Sequence, residues 1–132
     1  MQVSLDTVSF DGTRRPLYGE NAKGMIIYTR EGYFTLVQAS ADLPRLASGL
    51  PSKATPEEAK AIIANSIAYF GRYSLDEATM VLSLDIRAST FANLTDNPLE
   101  TRNITSLTES ELKFNRPFVK GVTLEAVFKR AE

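Results

Sequence analysis

At 132 residues, 43% of them hydrophobic and 23% charged, the chain reads as one globular domain over residues 1–132, long enough for a core but not for two. Fifteen basic residues against sixteen acidic leave a net charge of −1, too little to attract nucleic acid or an anionic membrane surface. The absence of Cys and His removes disulfides, thiolate chemistry, Ser-His-Asp and Cys-His arrangements and His-ligated zinc, so carboxylates, Lys, Tyr and Arg are left for acid–base work. No Walker loop or dinucleotide fingerprint occurs, and neither a cofactor nor a metal site is expected. No apolar run is long enough to span a bilayer and the N-terminus has no signal-peptide layout, so a soluble cytoplasmic protein is the expectation.

Val3 to Phe10 alternates and closes on Asp11-Gly12, which predicts an edge or seam strand followed by a turn. Thr13 to Ala22 holds Pro16, Gly19 and Asn21 and reads as a loop, with Arg14 and Arg15 as a solvated pair. The most informative stretch is Lys23 to Ser40, where two runs rich in Ile, Tyr, Val, Thr and Phe flank Arg30-Glu31-Gly32. A three-residue loop ending in Gly is a hairpin signal, because the last loop position is left-handed and a Cβ is costly there. That register sets Tyr28 opposite Phe34, Ile26 opposite Leu36 and Met25 opposite Val37, so Ile26, Tyr28, Phe34, Leu36 and Gln38 share one face. The other face, Met25, Ile27, Thr29, Tyr33, Thr35 and Val37, is also largely apolar, and is expected to be covered by a helix, a loop or a second subunit of a homodimer.

Residues 41–54 contain Pro44, Gly49 and Pro51 without any period, as in lids and partner-binding loops. Thr55-Pro56-Glu57-Glu58 is a helix start, with Thr55 as N-cap, Pro56 at the first helical position and Glu58 closing a capping box. The helix is predicted over about 55–69, burying a stripe of Ala59, Ile62, Ile63, Ser66, Ile67 and Phe70. Strands then return. Met80, Leu82, Leu84 and Ile86 alternate with Val81, Ser83, Asp85 and Arg87; Leu99 to Leu107 puts Arg102, Ile104 and Ser106 on one face; Glu111 to Asn115 and Val122 to Arg130 complete the set.

About eight short antiparallel strands and one inserted helix suit a sandwich or a closed barrel just wide enough for one small ligand. The order and spacing of Asp11-Gly12, Pro16-x-Tyr18-Gly19, Gly24-x-x-x-Tyr28, Gly32-Tyr33, the Thr55 helix start and Tyr69-x-Gly71-x-Tyr73 resembles the bacterial and fungal lipocalin-like domain family over roughly Ser9 to Arg130. The resemblance implies a mainly β, eight-stranded antiparallel lipocalin-like barrel with a cavity. Members usually open with a Gly-x-Trp strand, which this chain lacks, so a shortened or altered first strand is expected; the His often found in the strand matching Thr79 to Ala88 is missing as well.

Two functions fit such a barrel. One is binding of a small, largely apolar molecule, with Tyr28, Phe34, Leu36, Gln38, Tyr69, Tyr73 and Arg102 facing it. The alternative is a cofactor-free isomerase or cyclase, in which the same cavity shapes a hydrophobic metabolite and a Tyr or Arg polarises an oxygen.

Overall fold

The computed structural model describes residues 1–96 and 99–131. Its strands are β1 (Gln2–Ser9), β2 (Arg14–Pro16), β3 (Lys23–Tyr28), β4 (Tyr33–Ala39), β5 (Ser66–Asp76), β6 (Val81–Ser89), β7 (Glu100–Leu107), β8 (Glu111–Pro117) and β9 (Val122–Lys129), with the one α-helix, α1 (Pro56–Ala64), between β4 and β5. All nine join one antiparallel sheet in the order β2-β1-β9-β8-β7-β6-β5-β4-β3. The fold is mainly β and follows the lipocalin-like barrel plan. The sheet curls until β1 lies against β3. Among the described residues no backbone ladder joins these two strands; Gln38 Nε2 instead donates to Gln2 Oε1 at 2.9 Å. Gly24 makes room for that stitch, since a Cβ there would run into the Gln2 side chain.

Strand alternation assigns every second side chain to the interior. Phe34, Leu36 and Gln38 of β4, Leu82, Leu84 and Ile86 of β6, and Leu124, Ala126 and Phe128 of β9 are all buried, while their neighbours are not. The hairpin register is the one the loop chemistry demands, with Tyr28 opposite Phe34, Ile26 opposite Leu36 and Met25 opposite Val37, and with Gly32 at φ 94°.

The structure corrects the sequence reading at four places. The strands number nine, because Arg14–Pro16 within the expected loop pairs with β1. Arg14 is held there by Glu125 at 3.0 Å and Asp6 at 3.7 Å, and Pro16 is tolerated because β2 is an edge. The first strand is not shortened; β1 spans eight residues. The helix stops at Ala64 rather than near Tyr69: the Asn65 amide donates to Ala61 O at 2.8 Å and Ser66 Oγ to Ile62 O at 2.6 Å, side-chain bonds that compete with continued helix. Beyond them Ile67, Tyr69, Gly71 and Tyr73 point inward as alternate residues of β5, while Phe70 faces out.

The fourth correction concerns burial. No residue of α1 is buried, and Ile63 is 73% exposed. Of the covers expected for the outer face of the hairpin, neither a helix nor a loop among the described residues supplies one, and Met25, Ile27, Tyr33 and Val37 are exposed in the single chain. No helix among the described residues is long and apolar enough to cross a membrane.

The capping box forms as the sequence indicates, with Glu58 N–H donating to Thr55 Oγ1 at 3.2 Å and Thr55 N–H to Glu58 Oε1 at 2.8 Å. The other carboxylate oxygen of Glu58 accepts from Ala47 N–H at 3.0 Å and fastens the 41–54 loop to α1. The backbone bonds from Thr55 and then Ala47 hold the Glu58 carboxyl below its ordinary value of 4.5. A group whose folded value is depressed stabilises the fold above its unfolded value and loses that contribution as pH falls through the folded one. The stability gap between the wild-type chain and Glu58→Gln should therefore be open at neutral pH and close as pH drops below 4.5, as read by denaturation at a series of pH values. A gap that does not vary with pH would mean that the carboxylate charge has no part in the cap.

Where the β5–β6 register shifts between Phe70 and Gly71, leaving Arg87 of β6 as the extra residue, a Cβ on Gly71 would collide with the backbone carbonyl of Asp85. Gly71→Ala should lower stability by roughly 1–3 kcal/mol through that overpacking. An unchanged urea midpoint would show that the two strands can part without loss.

Candidate functional site

Among the described residues the interior opens into two large cavities rather than one, on either side of a packed waist. Phe34, Leu36, Leu84 and Phe114 meet there and leave only about 10 Å³, the room of a single water. Phe34 stands edge-on to Tyr69 at 5.9 Å, and Phe114 stacks on Phe128 at 5.9 Å. Aromatic contacts of this kind hold the waist shut better than burial alone.

On the helix side of the waist is a cavity of about 360 Å³. Leu5, Leu36, Ile67, Phe114 and Leu124 form its apolar walls, and Ile62 and Ile63 of α1 stand with Phe91 and Phe118 at its mouth. Besides the hydroxyls of Ser66 and Thr90, five larger polar side chains reach it: Tyr18, Gln38, Tyr69, Arg102 and Arg116. Gln38 is already engaged with Gln2. Arg102 is only 2% exposed and makes three hydrogen bonds, donating to Glu100 Oε2 at 3.1 Å, to Thr101 O at 2.9 Å and to Tyr69 Oη at 3.4 Å. The Glu100 carboxylate is what makes burial of that guanidinium tolerable.

Arg116 is different. Half-buried on β8, it donates to Pro117 O at 3.3 Å and stands over the Phe118 ring at 5.9 Å, with no carboxylate in salt-bridge range among the described residues. Burial first, and the charge of Arg102 second, push its guanidinium below the usual value. Tyr18 is 8% exposed, and its hydroxyl makes no hydrogen bond among the described residues. Burial pushes its pKa up, with Tyr69 adding to the shift and Arg116 opposing it, so at neutral pH the phenol keeps its proton and can donate.

Beyond the waist, on the side of the chain termini, lies a wider cavity of about 540 Å³. Tyr28 and Tyr73 meet edge to face there at 5.0 Å. The Tyr73 hydroxyl donates to Thr29 O at 2.6 Å, whereas that of Tyr28 makes no hydrogen bond among the described residues; burial pushes the Tyr28 pKa well up. Glu109, Glu111, Lys129 and Arg130 give this cavity a wall of mixed charge.

The seven side chains expected to surround a ligand all face inward, but the waist divides them. Leu36, Gln38, Tyr69 and Arg102 line the helix-side cavity, Tyr28 and Tyr73 the terminus-side cavity, and Phe34 the waist itself. The expectation that all seven face one ligand in a single cavity is therefore corrected. No residue of the 41–54 loop lines either cavity, so it is no lid over them.

Sequence reasoning missed Arg116, Tyr18 and the mouth of the helix-side cavity. Arg116 was within reach, since it lies two residues beyond the inward Phe114 on the same strand. Tyr18 lies in an aperiodic segment and is placed by tertiary contact alone, Leu17 N–H donating to Leu5 O at 2.9 Å just before it. Ile62 and Ile63 were read as core because their stripe was continued into residues that prove to be strand.

The family model of the lipocalin-like domain matches residues 3–117. The chain belongs to that family. The match takes in β1 to β8 and so contains both tyrosines and both arginines of the helix-side cavity. No curated protein and no solved structure gave a match. Among the described residues of this lipocalin-like domain, no cluster of three or more Asp, Glu, His or Cys is placed to hold a metal ion.

Proposed function

We propose that this lipocalin-like domain binds one small, largely apolar molecule in its helix-side cavity, the body of the ligand against the aliphatic and aromatic wall and its polar end toward the tyrosines and arginines. The observation that carries this reading is the cavity itself: about 360 Å³ lies open beneath a mouth of exposed Ile63, Phe91 and Phe118. That volume is at the small end of the range for ligand sites, about 300–1,000 Å³, and the few polar groups on an apolar lining are the usual arrangement. The waist confines the ligand to one side, since the void there admits nothing larger than water.

The isomerase or cyclase reading draws on the same side chains. Two guanidiniums beside an apolar chamber would stabilise an oxyanion developing on a substrate. With no His in the chain, the carboxylate placed to accept a proton there is Glu100, 3.1 Å from Arg102.

The chain lacks Trp, so a single introduced indole is a clean reporter. In Ile63→Trp the indole sits at the mouth of the helix-side cavity, and in Leu107→Trp at the terminus-side cavity; both parent side chains are exposed. Titration with the neutral lipophile N-phenylnaphthylamine should give saturable energy transfer from the first variant at about one per chain, and a much weaker response from the second. The reverse pattern would move the site across the waist, and no saturable signal from either would overturn binding altogether.

A further inference from the structure

The helix-side cavity carries more positive charge than its own walls neutralise. It is lined by two guanidiniums, Arg102 and Arg116, and among the described residues by no carboxylate. Glu100 answers Arg102 at 3.1 Å from outside the lining. No carboxylate among the described residues is in ion-pair range of Arg116, which feels the Glu100 charge only from a distance and whose hydrogen bond goes to the carbonyl of its own neighbour Pro117 at 3.3 Å. A half-buried cation with no ion-pair partner in range is unfavourable, and a packing role alone would be met as well by an uncharged side chain. A second group points the same way. The Tyr18 hydroxyl is carried by a side chain more than nine-tenths buried, lines this cavity, and has no hydrogen-bond partner among the described residues. An unengaged neutral donor beside an unpaired cation, both facing an apolar chamber, is the complement of one anionic acceptor.

We propose that the ligand of the helix-side cavity is an organic acid, a compact apolar body with a single carboxylate that accepts from the Arg116 guanidinium and the Tyr18 hydroxyl. This rests on the reading of that cavity as a ligand site. The charge sum limits the ligand to a monoanion: Arg102 is balanced by Glu100, so one negative charge neutralises the cavity and a second would stand unpaired. Guanidinium geometry suits a carboxylate, which can take two parallel N–H donors. The apolar remainder is set by the walls of Leu5, Leu36, Ile67, Phe114 and Leu124. Arg102 and Tyr69, joined at 3.4 Å, then serve as a fixed polar floor rather than as the primary anion contact.

The test pairs acids with neutral amides of the same shape, naphthoate with naphthamide and decanoate with decanamide, by calorimetry on the wild-type chain, Arg116→Gln and Arg116→Lys. In the wild type each acid should bind roughly ten- to a hundred-fold more tightly than its amide, the range for a charge-assisted hydrogen bond. That ratio should fall to within about twofold in Arg116→Gln and be partly kept in Arg116→Lys, where the charge remains. Equal affinity of acid and amide in the wild type would overturn the acidic ligand while leaving the cavity a binding site. A ratio that survives Arg116→Gln unchanged would overturn the role given to Arg116. Failure of both acids in a protein that still takes up N-phenylnaphthylamine would also overturn the proposal, and without touching the binding reading.

Discussion

Alternation along a curled sheet is the constraint on which the structure depends. Once nine strands share one sheet, every second residue is committed to the interior whatever its chemistry. Most of those residues are Leu, Ile, Phe and Ala, and where they are large they meet across the lumen and close the waist. Where polar residues take the inward positions, on β7 and β8, packing yields to a cavity with guanidiniums in its wall. The same rule that builds the core thus builds the site, and the site's electrostatics follow from which residues fall in phase.

A single-sheet barrel must also meet itself. Here β1 and β3 approach without a backbone ladder among the described residues, and the Gln2–Gln38 bond spans the gap. Gln38 is 5% exposed and lines the helix-side cavity, so one amide serves both the seam and the cavity wall. Separation of the seam would therefore open the cavity sideways. α1 adds little to closure, since none of its residues is buried, and it borders the mouth instead.

Much of this was legible in the sequence because the signals were local. Gly32 fixed the hairpin register, Thr55 and Glu58 fixed the start of α1, and the alternation of Leu82, Leu84 and Ile86 fixed the phase of β6. The end of α1 was harder: the apolar residues after Ala64 fit a helical stripe and a strand alternation alike, and the side-chain bonds of Asn65 and Ser66 decide between them. β2 was hidden because three exposed residues containing a Pro have no strand pattern, and only pairing with β1 makes them one. The inward direction of the candidate side chains was readable strand by strand. Their division by the waist was not, because depth along a barrel depends on strand stagger, which no single strand encodes.

Occupancy of the helix-side cavity by a small organic molecule is tested, without choosing a ligand in advance, by native mass spectrometry of the protein taken directly from its source. The expected spectrum holds a population one small molecule heavier than the bare chain, which loses a compact apolar acid on gentle activation. A spectrum showing only the bare chain under the mildest conditions, from protein that also fails to retain any added lipophile, would contradict it.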